Sequence, residues 1–218
     1  MNILNTLLNL IFPIKCLSCG EANSDFCLKC LNNSREPERE SESWIFPLYD
    51  YRHPPIKKAI WLLKYKHNRR LAEIFAQIMY GRILEELSDL SLMENFRNAI
   101  LIPIPLANKR IRERGFNQAE ILAQKLIEID KGESFILEAN ILIKPRETDH
   151  QSHKKQRKER LKNILGSFSI NPKNEHKIKN KNIILIDDVT TTGATLKEAK
   201  KILKQAGAKK VIAFTIAH

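Results

Sequence analysis

Two adjacent carboxylates followed by a hydroxyl-rich turn are the residues of this 218-residue chain whose types and spacing could do chemistry. Asp187 and Asp188 stand directly after the apolar run Ile183-Ile184-Leu185-Ile186. Val189, Thr190, Thr191, Thr192, Gly193, Ala194 and Thr195 follow. Backbone N–H groups in a tight glycine-containing turn at a helix start form an anion cradle, and the hydroxyls of Thr190, Thr191, Thr192 and Thr195 add donors to it. Adjacent carboxylates do not suit a phosphate. They accept hydrogen bonds from vicinal hydroxyls or hold a hydrated magnesium ion. A ligand of the ribose 5-phosphate type, with a phosphate at one end and a diol beside it, satisfies both halves. The plain alternative is an ordinary strand-to-helix turn with Asp188 as a helix cap. A Walker-type loop is excluded, because the closing Gly-Lys-Ser/Thr is missing.

The elements that must position these residues follow from periodicity. An apolar run without polar alternation reads as a strand buried on both faces, as in a parallel sheet. Behind the turn, Leu196, Ala199, Ile202, Leu203 and Ala206 recur at helical spacing, with Lys197, Glu198, Lys200, Lys201 and Lys204 on the opposite face. Gly207 stops that helix, and Val211 to Ile216 reads as the next strand. A strand–loop–helix–strand unit of this kind binds ligands at the carboxyl ends of its strands. Earlier in the chain, Trp44 to Tyr51 reads as one or two short strands. A helix follows through Ile56, Ala59, Ile60 and Leu63, broken by Lys64-Tyr65-Lys66. A second helix carries Leu71, Ile74, Phe75, Ile78, Met79, Ile83 and Leu87. Ala99 to Ile104 and Ile141 to Ile143 read as further strands, and residues 171–182 as a polar hairpin or loop.

All four cysteines fall in two pairs, Cys16-x-x-Cys19 and Cys27-x-x-Cys30. Paired CxxC motifs read as a tetrahedral thiolate site for one structural zinc, the competing readings being two disulfides or a redox dithiol. Residues 1–12 are apolar but broken by Asn2, Asn5 and Asn9, with no positive n-region and no cleavage site, and are too short to span a bilayer. They read as a helix packed on the cysteine module, so no transmembrane segment is expected. Residues 32–43 are polar, charged and without a core face, which makes them a linker. The expected organisation is therefore an N-terminal helix and zinc module over 1–31, the linker, and one α/β domain over 44–218. Chelation should loosen the module while the larger domain keeps its own core.

Lys and Arg total 37 against 25 Asp and Glu, a net charge of +12, so an anionic partner is expected. Two stretches concentrate the excess. Lys109, Arg110, Arg112 and Arg114 follow the Ala99 to Ile104 strand, just before Gly115-Phe116-Asn117-Gln118-Ala119-Glu120 opens a helix. Cations after a strand end suit a polyanion such as pyrophosphate, although charge runs are commonly no more than solvated loops. The second stretch, 144–168, carries eight cations against three acids and is long for a connection, as lids and binding loops are.

Several motifs in order carry a family resemblance. The apolar strand, two acids and T-T-G-x-T resemble the phosphoribosyl-pyrophosphate (PRPP) motif of type I phosphoribosyltransferases. Together with the paired CxxC module, the K-Y segment, PIPL, R-G-F-N-Q-A-E, R-x-T-x-x-Q, R-x-x-R-x-x-N and G-S-F, it resembles the ComF family of competence proteins from about Phe12 to the C-terminus. The resemblance implies a mostly parallel type I phosphoribosyltransferase-like sheet flanked by helices. It implies that Asp187 and Asp188 take the ribose diol, and that Thr190 to Thr195, with Gly193, Ala194 and Arg110, take the rest of PRPP, magnesium accompanying it. It also implies a cytoplasmic protein at the inner face of the membrane, working in DNA uptake for natural transformation beside other DNA-uptake proteins.

Two functions of different class remain open. In the enzyme reading, a phosphoribosyltransferase displaces pyrophosphate with an acceptor base, Asp187, Asp188, Arg112 and Arg114 acting on the reacting groups, and Arg146, Thr148 and Gln151 on a lid. In the binding reading, the same fold grips single-stranded DNA through these arginines and through Lys154, Lys155, Arg157 and Arg160, and Trp44, Phe46, Tyr49, Tyr65 or Phe116 stack bases. A DNA-handling protein with a PRPP site is the favoured reading; a salvage-type transferase without a DNA role is the alternative.

Overall fold

Alternation along strand β6 (Asn182–Val189) divides the molecule into two layers. Ile183 and Leu185 join one apolar cluster, while Ile184 and Ile186 join another on the opposite face of the sheet. The structure is a computed structural model in which residues 14–38, 41–94, 98–144 and 166–218 are described. The segment 145–165, with Arg146, Thr148, Gln151, Lys154, Lys155, Arg157 and Arg160, lies outside the described residues, as do 1–13.

Strands β1 (Ile45–Tyr49), β2 (Ala99–Pro103), β3 (Phe135–Leu137), β6 and β7 (Lys210–Ala217) form one parallel sheet in the order β1-β7-β6-β2-β3. A separate antiparallel ribbon pairs β4 (Leu142–Ile143) with β5 (Ser169–Ile170). Among the described residues the helices are α1 (Leu28–Asn32), α2 (Pro54–Tyr65), α3 (Arg69–Glu94), α4 (Asn108–Arg114), α5 (Gln118–Asp130) and α6 (Ala194–Gln205). Sheet residues Leu101, Ile184, Ile186 and Phe214 pack with Leu63, Phe75 and Met79 of α2 and α3 and with Leu122 and Leu126 of α5. The other face packs against Leu196, Ala199 and Leu203 of α6.

Chain direction explains where the site lies. From β2 the chain crosses over α5 to β3 on one side, and from β6 it crosses over α6 to β7 on the other, with the helices on opposite faces. Right-handed crossovers that wind outward in opposite directions leave a crevice between the two strands where they begin. Strands β2 and β6 are those neighbours, Pro103 opposite Ile186, and the Ile104 N–H continues the ladder to the Ile186 carbonyl at 2.9 Å. The acid pair therefore sits at a topological switch point.

Helix α2 ends within the Lys64-Tyr65-Lys66 segment, as expected. It runs through Tyr65, and the turn after it does the stopping: Lys66 caps, His67 adopts φ +49°, and the Asn68 Oδ1 accepts from the Leu71 N–H at 3.1 Å to start α3. The basic stretch after β2, expected as a loop, forms the seven-residue helix α4 with no buried residue, closed by Gly115 at φ +79°. With Ile111 its one apolar residue, α4 has no periodic stripe that would reveal a helix.

The cysteine segment shares the main core. Cys16, Phe26 and Leu31 belong to the same cluster as Leu63, Leu71 and Phe75, and the Asn68 amide donates to Asp25 Oδ1 at 2.8 Å. Since Phe26 is 1% exposed, Phe26→Ala should lower the free energy of unfolding by about 3–5 kcal/mol. Urea denaturation should show one transition for the whole chain; an early, separate transition of the cysteine segment would mean that the shared cluster does not couple the two.

Candidate functional site

The pleat of β6 sends the two acids to different partners. Asp188, on the α2 side, meets Lys64, whose Nζ lies 3.1 Å from Oδ1. Asp187 points to the other face, toward the end of β4. There burial holds Lys144 below the usual lysine range, the Arg110 charge adding to the effect and the Asp187 carboxylate opposing it. Burial, and after it the Asp188 charge, push the Asp187 carboxyl up to about 7, although its Oδ1 accepts the Asp188 N–H at 2.8 Å and Lys64 and Lys144 work the other way.

The threonine turn follows directly. The Thr190 N–H extends the sheet by donating to the Ala217 carbonyl at 2.9 Å, so the Thr190 hydroxyl is what it can offer a ligand. Gly193 precedes α6 at φ +70°, a left-handed backbone that favours glycine, and a Cβ there would crowd Ile45 Cδ1 at 3.3 Å. The Ala194 N–H turns back to Thr192 Oγ1 at 3.4 Å, and the Lys197 N–H closes the first helical turn on the Gly193 carbonyl at 2.8 Å. That leaves the start of α6 as an N–H-rich end beside Thr191, Thr192 and Thr195. His218 braces the turn, its Nε2 lying 3.2 Å from the Thr191 carbonyl.

The basic stretch separates into two directions. The charge of Arg110 reaches Lys144, which faces Asp187. Arg114 turns outward instead, its guanidinium 5.0 Å from the Tyr65 ring centre. Within R-G-F-N-Q-A-E, Asn117 is structural: it caps α5 through the Ala119 N–H at 3.1 Å and donates to the Ile104 carbonyl at 3.1 Å. Lys64 was legible only as part of a K-Y motif and His218 not at all, because both reach the site from other layers.

The four cysteine sulfurs lie within 4.8 Å of one another, with Cys19 and Cys27 3.7 Å apart. Thiolates held tetrahedrally about 2.3 Å from zinc stand roughly 3.8 Å apart, so the donor set fits such an ion. Two tight turns make the cluster. The Gly20 N–H donates to the Cys16 carbonyl at 3.0 Å with φ +79° at Gly20, and Lys15 bridges Ala22. Burial works against the Cys16 thiolate, yet the backbone groups of Cys19, Cys27 and Ser18 outweigh it and bring its pKa to about 6. The four cysteines could therefore hold a metal such as zinc.

The raised Asp187 carboxyl has a stability consequence. An unfolded aspartate ionises near pH 4, so between there and about 7 the folded state keeps a proton that the unfolded state has lost. Ionisation therefore weakens the fold as pH rises through that window. Asp187→Asn, which can still accept the Asp188 N–H, should raise the thermal midpoint of ligand-free protein at pH 8, with a gain that shrinks toward pH 4. A gain that does not vary with pH would rule this out.

A family model, the phosphoribosyl transferase domain, matches residues 111–218. Competence protein F of Haemophilus influenzae is 27% identical over 211 residues, spanning 95% of this chain and 85% of that protein. Competence protein ComFC of Bacillus subtilis is 39% identical over 121 residues, 55% of this chain and 45% of the relative, so this match spans about half the relative's length. The DNA utilization protein YhgH of Salmonella typhimurium is 26% identical over 90% of the chain and 80% of its own length. Among solved structures, a Trypanosoma cruzi hypoxanthine phosphoribosyl transferase superposes with a TM-score of 0.40 at 11% identity, covering 66% of this chain and 63% of that one, a likeness too low to carry weight. With a phosphoribosyl transferase domain match over its C-terminal part, a four-cysteine cluster before it and a competence protein aligned along almost its whole length, the chain is similar to the ComF competence proteins.

Proposed function

We propose that this protein handles single-stranded DNA during DNA uptake and carries a PRPP-binding site at the crevice between β2 and β6. The observation that supports it most is the acid pair at that switch point, with a lysine facing each carboxylate and the N–H-rich start of α6 directly behind. A ribose diol would donate to Asp187 and Asp188, displacing Lys64 from Asp188, while the 5′-phosphate would lie against Thr191, Thr192, Gly193, Ala194 and Thr195. Arg110 and Lys144 would receive the pyrophosphate. Magnesium bound with PRPP would supply charge neutralisation for that group. The names of the relatives, competence and DNA utilization proteins, point to a role in DNA uptake for natural transformation, at the cytoplasmic face of the membrane and in contact with other uptake proteins. Among the described residues no helix is long and apolar enough to cross a membrane.

Two measurements test this. Isothermal calorimetry should detect PRPP binding that strengthens with magnesium and disappears in Asp187→Ala with Asp188→Ala, since each unpaired buried hydroxyl costs about 1–3 kcal/mol. Unchanged affinity in that variant would refute the assignment.

The second concerns DNA. Oligonucleotide binding should be insensitive to sequence and steeply dependent on salt, each neutralised phosphate contributing a slope of roughly −0.7 for single strands. Arg112→Ala with Arg114→Ala should flatten that slope by about one to two units. A salvage-type transferase behaves differently: pyrophosphate release with a free base, lost in the arginine variant while the salt slope stays as in the wild type, would favour it.

A further inference from the structure

Helix α2 buries Ile56, Ala59, Ile60 and Leu63, and its opposite face is not an ordinary solvated one. Trp61 is 49% exposed and Tyr65 55% exposed there. Four residues apart, they stand one turn above the other, with ring centres 5.6 Å apart and planes at 43°. Core packing cannot account for two rings that leave about half their surface in water. Cations border both. The Arg114 guanidinium lies over the Tyr65 ring, with Nη2 3.5 Å from the Tyr65 hydroxyl, and Lys66 Nζ is 6.0 Å from the Trp61 ring centre. Lys64, between them in sequence, turns the other way to Asp188. The ring pair therefore stands on the outer side of the same helix end whose inner side reaches the acid pair.

We infer that Trp61 and Tyr65 are a stacking platform for the bases of an unpaired nucleic-acid strand, whose phosphates are taken by Arg114 and Lys66. This rests on the single-strand reading above and names the surface that serves it. Every base presents a π face, which a duplex hides between neighbours and a single strand exposes, so exposed aromatics interleaved with cations select single strands without selecting sequence. The alternative occupant, a protein partner, would be met by a wider apolar patch with charge depleted at its centre. Here the two rings are bordered by cations on a chain of net charge +12, which is complementary to a phosphate backbone.

The other sequence-based candidates fit less well. Phe46 stacks on Phe214 within the fold, Tyr49 is buried, Trp44 is part-buried with Lys200 Nζ 3.9 Å from its ring centre, and Phe116 is half-buried, edge-on to His67. Only Tyr65 of that group is exposed, and Trp61 joins it.

Fluorescence anisotropy with a labelled oligothymidylate and an abasic oligonucleotide of equal length tests the platform. Wild-type protein should bind the base-bearing strand about tenfold or more tightly than the abasic one. Trp61→Ala and Tyr65→Ala should each erode that preference without changing the salt slope, and Trp61→Phe should restore it. Quenching of tryptophan fluorescence by oligothymidylate should be lost in Trp61→Phe, which leaves only Trp44. If wild type binds both strands equally and the alanine variants match it, the platform is overturned while single-strand binding stands. If wild type binds neither strand, the single-strand reading fails and the platform with it. Unchanged DNA binding in Trp61→Ala, combined with loss of a concentration-dependent dimer in sedimentation, would assign the rings to a second copy of the chain and overturn the proposal.

Discussion

Two carboxylates on consecutive residues at the end of a buried strand repel one another and lose hydration together, and much of this site is arranged around that problem. The pleat provides the first relief, because successive side chains leave a strand on opposite faces. Asp188 then falls on the side of α2, where Lys64 reaches it at 3.1 Å, and Asp187 falls on the side of the β4–β5 ribbon, where Lys144 stands. Neither lysine belongs to the strand–turn–helix unit itself. Relief is incomplete at Asp187, whose carboxyl stays raised by burial ahead of the Asp188 charge. A group that the protein solvates poorly by itself gains more from a ligand that donates hydrogen bonds to it.

The same geometry sorts the basic residues. Charge excess alone, +12 over the chain, is a statement about attraction to anions at a distance. The structure divides it by direction. Lys64, Lys144 and Arg110 act inward, near the acid pair, while Arg114 and Lys66 act outward, against exposed rings. A small anionic ligand and a long polyanion therefore need not compete for the same side chains, even though both would approach the carboxyl edge of one sheet.

Strand β6 and its turn were readable because buried parallel strands leave an unbroken apolar run and because T-T-G-x-T is ordered chemistry rather than composition. The cysteine cluster was readable for the same reason, since ligand spacing is itself the signal. Helix α4 was not, because it buries nothing and so has no apolar period. The end of α2 within Lys64-Tyr65-Lys66 was readable too, whereas the left-handed backbone of His67 and the Asn68 cap that opens α3 leave no such trace. Lys64 as a partner of Asp188 depends on the crossing of α2 over the sheet, a tertiary fact with no local trace. Trp61 went unremarked because an aromatic between Ile60 and Leu63 reads as core until the helix phase is known.

That helix end ties the cysteine cluster to the site. Asn68 holds two groups at once: its Oδ1 caps α3, and its Nδ2 donates to Asp25 in the cysteine segment. His67, the residue before it, packs edge-on to Phe116 with ring centres 4.1 Å apart, just beyond α4. The turn 66–68 is thus clamped between the cysteine segment and the end of α4. Lys64 and Tyr65 form the last turn of the helix that enters this clamp, so the direction in which each points is set by where the helix is made to stop. A cluster that fixes its own short segment consequently also fixes the reach of Lys64 to Asp188 and the presentation of Tyr65 to Arg114. On this geometry the cysteine cluster belongs to the architecture of the sheet edge that carries the acid pair.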